Sequence, residues 1–148
     1  MGWSIIDFGD YWAHAHDSEQ ILFMSLAPVF IDSSPALGSV AWLQAWKAYW
    51  LDHRKTYANG CSDIDLERFL DSSEKVILFR DFVNNYKSWL LGRFGEAIPA
   101  EEINAILDTS AWGMRFEAPC SVNDLLSFAA KIEDVVDGRL KNKSVQRK

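Results

Sequence analysis

Asp7, Asp10, His14, His16 and Asp17 fall within eleven residues, and carboxylates and imidazoles are the ligand types of zinc, manganese and iron sites. Their spacing follows no strong template. His14 and His16 do not share a helix face, and there is no His-Glu-x-x-His run. An acidic surface arm with incidental histidines is the leading reading, and a metal-dependent hydrolase using this Asp/His cluster is an alternative. His53, flanked by Asp52 and Arg54, reads as part of a solvated charged face.

Nucleophilic catalysis requires a Ser or Cys held against a base. Cys61 follows Gly60 and Cys120 lies between Pro119 and Ser121, both at expected helix entries, where a helix end favours the thiolate. Neither carries a nucleophile-elbow signature, so both read as ordinary thiols. Glu101 and Glu102 are sequence neighbours that point in different directions, and a first helical turn accounts for them. No glycine-rich phosphate loop is present. The sequence therefore offers no catalytic, cofactor-binding or metal-binding residue, and the chain reads as a non-enzyme.

The stronger signals are charge and aromaticity. The first 46 residues contain no Lys or Arg, whereas Arg139, Lys141, Lys143, Arg147 and Lys148 fall among the last ten with no acid between them. The whole chain carries −6, which leaves −11 for residues 1–138. Such a field repels nucleic acid and anionic lipid and steers a basic protein partner toward the surface. The densest acidic run is Asp63, Asp65, Glu67, Asp71 and Glu74. Trp42, Trp46 and Trp50 recur at intervals of four, and with Tyr49 and Arg54 they form an aromatic ridge on one helix. That ridge is either core or an interface, because Trp, Tyr and Arg dominate binding hot spots.

These observations lead to a small acidic binding module that neutralises or regulates a basic protein partner, as an immunity protein or antitoxin does for a toxin nuclease. Asp63, Asp65, Glu67, Asp71, Glu74, Trp46 and Trp50 are its expected partner-binding residues. The alternative to this and to the hydrolase is a helical adaptor or structural subunit that homodimerises through the ridge. No signal peptide or membrane span is legible, so the expected location is the cytoplasm.

The elements that must position these residues are mostly helical. Residues 1–16 settle on no single period and are expected to pack as an extended arm or turn. A helix is expected from Ser18, with Pro28 kinking or dividing it. The next runs from a Ser39 cap through Val40 and Tyr57 to a stop at Asn59-Gly60, and a short one follows Ser62 through Leu66, Phe69 and Leu70. The longest begins at Ser72 or Ser73, buries Val76, Ile77, Phe79, Val83, Tyr86 and Leu90, and ends near Gly92 or Gly95. Pro99 opens another helix, residues 108–120 form an irregular connection, and Ser121 caps a last helix ending at Gly138. The expected fold is all-α, an irregular or orthogonal bundle of about five to six helices. A single acidic domain spans residues 1–138, and a basic, flexible tail spans 139–148.

Overall fold

The run from Ile21 to Ile31 is apolar on nearly every side, and a helix with no polar face belongs in the middle of a fold. The structure, a computed structural model, describes residues 3–53, 63–107 and 115–138. It places that run in α1 (Asp17–Ser33), buried along almost its whole length. Pro28 lies inside this helix, which is not divided. Burial around the whole circumference holds the backbone helical where the proline withholds a donor.

The other elements wrap α1. Seven helices occur among the described residues, and two of them are single turns: α2 (Pro35–Gly38) and α4 (Leu66–Phe69). The longer ones are α3 (Ala41–His53), α5 (Ser73–Phe94), α6 (Ala100–Leu107) and α7 (Val122–Val136). The fold is mostly helical, as the apolar periods require. Helix α5 starts at a Ser72 cap whose hydroxyl accepts from the Lys75 N–H, and it stops at Gly95 with φ of 70°, the left-handed conformation that glycine adopts without strain. Helix α7 is clasped to α5 by Lys87–Glu133 at 2.5 Å and by the Arg80–Asp137 ion pair. The buried amide of Asn104 on α6 donates to the Phe116 carbonyl and accepts from its N–H, both at 2.8 Å, which fastens the segment before α7.

Two expectations are corrected. Residues 3–16 form an antiparallel hairpin, β1 (Trp3–Phe8) and β2 (Tyr11–His16), joined by Gly9 and Asp10. Gly9 has φ of 59° and Asp10 does not share it, the arrangement of a II′ hairpin turn. Ile6 and Ala15 face the core while Ile5 and His14 face outward, and the Lys131 ammonium donates to the His14 carbonyl. A second, minimal pair joins β3 (Ala97–Ile98) to β4 (Cys120–Ser121). On α5 the buried stripe is Phe79, Phe82, Val83, Tyr86 and Leu90. Val76 is half-buried and Ile77 is 57% exposed, because position 77 falls beside the stripe rather than on it.

Ser39 donates to the Ala36 carbonyl at the end of α2 instead of capping α3, and Ser121 makes no side-chain cap to α7. The expected Asn59-Gly60 stop, Tyr57, Arg54, Cys61, Ser62, Gly113 and the basic residues 139–148 lie outside the described residues. None of the helices described is long and apolar enough to cross a membrane.

Candidate functional site

The aromatic ridge of α3 is core at Trp46 and Trp50 and half-buried at Trp42 and Tyr49. Trp46 and Trp50 are both wholly buried, so their assignment as partner contacts is corrected: no partner reaches them on the folded protein. Trp46 packs against Trp50, Phe69 and Phe79, and Trp50 meets Phe23 edge-on. Their indole N–H groups have a further task. Trp46 Nε1 donates to the Ile64 carbonyl at 2.5 Å, and Trp50 Nε1 donates to the same oxygen at 3.3 Å. Burying an indole N–H costs free energy that an acceptor offsets, and here the acceptor is the backbone of the segment that carries the acidic run.

Above that carbonyl the chain is shaped by its own carboxylates. Asp63 Oδ1 accepts from the Asp65 N–H at 2.8 Å, an Asx turn. Asp65 sits at φ 59°, ψ 52°, a left-handed conformation that Asp tolerates better than most residues. The Asp63 N–H donates to His53 Nε2 at 3.2 Å, and the Tyr49 hydroxyl donates to the Asp63 carbonyl at 3.1 Å. Burial pushes the Asp63 carboxyl above the usual carboxylate range, and nearby Asp65 and Asp7 add to the rise against a backbone hydrogen bond and His53. Tyr49 is pushed up to about 12 by burial and then by Asp63 and Asp65, so it stays a neutral donor.

Glu67 reaches back to the hairpin, where its Oε1 accepts from the Gly9 N–H at 2.8 Å. This contact brings the turn residue Asp10 to the acidic run, and the electrostatic coupling of Asp7 to Asp63 places that carboxylate beside it as well. Asp71 accepts from Lys75 at 2.9 Å, one helical turn on, and its carboxyl is held below the ordinary range by that ammonium. Glu74 is exposed in the first turn of α5. Beside these carboxylates lies a groove of about 490 Å³ lined by Phe8, Leu70, Asp71, Ser72, Ser73, Val76 and Ile77. The candidate face is therefore an apolar groove with an acidic border. Phe8, Ile77, Asp7 and Asp10 belong to it, and a linear reading of residues 63–74 misses all four. The findable signal was Gly-Asp between two short runs rich in aromatic and β-branched residues, a hairpin signature.

The N-terminal Asp/His set is not brought together. Asp10 stands at the hairpin turn and His16 at the far end of β2, about 20 Å apart at the rise of a strand. Asp17 is buried in the first turn of α1, and His14 is exposed with its ring edge-on to Trp12. Among the described residues no three His, Cys, Asp or Glu side chains converge to hold a metal ion.

A second cavity, of about 590 Å³, lies between the starts of α1 and α7 and is lined by His16, Glu19, Leu22, Arg115, Phe116, Cys120 and Asp124 among others. Burial, and then Asp124 and Glu19, push the Cys120 thiol up to about 11. Its helix-entry position does not activate it, and it is the ordinary thiol that the sequence suggests.

No protein-family model, curated protein or solved structure matches this chain.

Proposed function

We propose that this protein is a small acidic binding module that docks a basic protein partner and thereby neutralises or regulates it. The observation that carries this reading is the groove of Phe8, Leu70, Val76 and Ile77 with Glu67, Asp71 and Glu74 on and around its border. An apolar centre with a charged rim is the anatomy of a protein interface. Rim carboxylates speed the encounter with a cation-rich surface, and the apolar contact limits dissociation. An immunity protein or antitoxin that occludes the cationic cleft of a nuclease is one biological form of such a module. It needs no cofactor and no turnover.

Glu67 and Asp65 are poor residues on which to test this, because Glu67 anchors the hairpin turn and Asp65 turns the backbone. Asp71 and Glu74 are the better pair. If a cationic protein co-purifies with the chain, Asp71→Lys with Glu74→Lys should slow its association by about tenfold at low salt. The melting temperature should move little, since only an exposed i,i+4 pair is lost. A co-purifying partner whose association rate ignores both this reversal and ionic strength would show that the acidic run is merely solvated surface. The adaptor reading, in which the chain pairs with itself, predicts instead a concentration-dependent solution mass and no such partner.

A further inference from the structure

The described chain ends beside the groove. Gly138 follows α7 with φ of 71°, and a β-carbon placed on it would lie 2.9 Å from the Tyr11 ring. Tyr11 pairs across the hairpin turn with Phe8, one wall of the groove. On the other side Asp137 is ion-paired with Arg80, which stands one helical turn beyond Ile77, the opposite wall. The next ten residues in sequence are Arg-Leu-Lys-Asn-Lys-Ser-Val-Gln-Arg-Lys, with five cations, no acid, and Leu140 set between Arg139 and Lys141. Three residues of extended chain reach about 10 Å. No long linker is needed.

We propose that residues 139–148 are the resident occupant of this groove, with Leu140 against Phe8 and Ile77 and the flanking cations against the acidic border, so that the protein competes internally with any basic partner. Charge complementarity supports the choice of occupant. Asp7, Asp10, Asp63, Asp65, Glu67, Asp71 and Glu74 outnumber the local cations Arg68, Lys75 and Arg80, the last of which is already paired with Asp137. Tethering supports it too, because a short connection sets an effective concentration on the order of millimolar, enough to populate a contact that is weak between separate molecules. The proposal deepens the docking reading by adding its regulation, and it rests on that reading only in taking the groove to accept cationic segments.

Two experiments on the full chain test it. Zero-length carbodiimide coupling followed by peptide mapping should join Lys141 or Lys143 to Glu67, Asp71 or Glu74 within the monomer fraction. Links confined to a dimer, or lysine links only to other carboxylates, overturn the internal arrangement. In the second, a dye-labelled decapeptide with the sequence of residues 139–148 is titrated into the wild-type chain and into the Arg139→Glu, Lys141→Glu, Lys143→Glu variant. The variant should bind the peptide at least tenfold more tightly than wild type, and adding Ile77→Asp should abolish the gain. Equal affinities, or binding that survives Ile77→Asp, overturn the proposal. If those results coincide with salt-sensitive binding of a foreign cationic protein that is lost in Asp71→Lys with Glu74→Lys, the docking reading stands and only its internal regulation is refuted.

Discussion

The aromatic layer of α3 and the carboxylate face above it are built from opposite chemistry, yet they meet at one atom. The Ile64 carbonyl receives the N–H of both Trp46 and Trp50 from below, and on its upper side the chain turns through Asp63 and Asp65. The layer excludes water and the face is wet. The contrast separates two kinds of aromatic and acidic residue that look alike in sequence: those that hold a surface in place and those that form it. Trp46 is of the first kind and Phe8 of the second. Glu67 belongs to both, since its carboxylate borders the groove while accepting from Gly9.

The sharpest way to break the contrast lies on α5, which carries both environments. Val83 is fully buried, whereas Ile77 is 57% exposed in the groove wall. Val83→Asp should destabilise the protein by about 4 kcal/mol or more, because it buries a carboxylate without a partner. Ile77→Asp should stay within about 0.5 kcal/mol, as surface substitutions do. Chemical denaturation of the two variants measures both, and similar losses would mean that the two positions do not differ as described.

Trp46→Ala comes next. It removes a wholly buried indole, an expected loss of about 3–5 kcal/mol. Trp46→Phe is more informative, because it keeps an aromatic ring and removes the donor at 2.5 Å, leaving Ile64 to the longer bond from Trp50. It should cost more than Trp50→Phe. Binding of the proposed partner should weaken only as far as residues 63–66 loosen, which hydrogen exchange at Ile64 and Asp65 would report. If Trp46→Phe left both unchanged, the aromatic layer would be packing alone and would not position the face.

Smaller still is the effect at Glu67. Glu67→Gln preserves an acceptor for the Gly9 N–H and should be nearly neutral, while Glu67→Ala should cost about 1 kcal/mol, the net worth of such a bond. The difference, read from thermal melts, isolates the tie between hairpin and acidic run. Equal melts for Gln and Ala would show that the tie contributes nothing.

The helices were legible because their signals are local. The Ser72 cap, the Gly95 stop and the three-and-four spacing of Phe79, Val83, Tyr86 and Leu90 all act within a few residues. The hairpin was harder to see, because Ile5, Ile6 and Phe8 put apolar side chains on both of its faces and blur the alternation that marks a half-buried strand. The site was half legible. The run Asp63 to Glu74 is visible in a linear reading, but its partner wall, Phe8, lies 55 positions before Asp63 and arrives through the tertiary packing of the hairpin, in which the Gly9–Glu67 bond is one contact. Trp46 and Trp50 read first as core and second as interface, since hot-spot composition and core composition coincide for tryptophan and only burial distinguishes them.

The finest probe of the wet side is Asp63. Its carboxyl titrates above the ordinary range because it is partly buried and has Asp65 and Asp7 nearby. A folded-state value raised above the unfolded one means that the folded protein holds this proton more readily. The ionised carboxylate is therefore unfavourable at neutral pH, and the penalty fades as pH falls toward the unfolded value, about 3.9. Asp63→Asn retains the side-chain oxygen that accepts from the Asp65 N–H and removes the charge. Because the group is only partly buried and solvent screens its charge, the expected gain in melting temperature at pH 7 is at most about 2 °C. That gain should shrink to nothing by about pH 3.5, where wild-type Asp63 is itself protonated. A variant that melts lower than wild type at pH 7, or whose advantage is unchanged at the acid end, would mean that Asp63 is favourably ionised, and the acidic face would then be a set of stabilising contacts rather than a surface kept charged at some expense in stability.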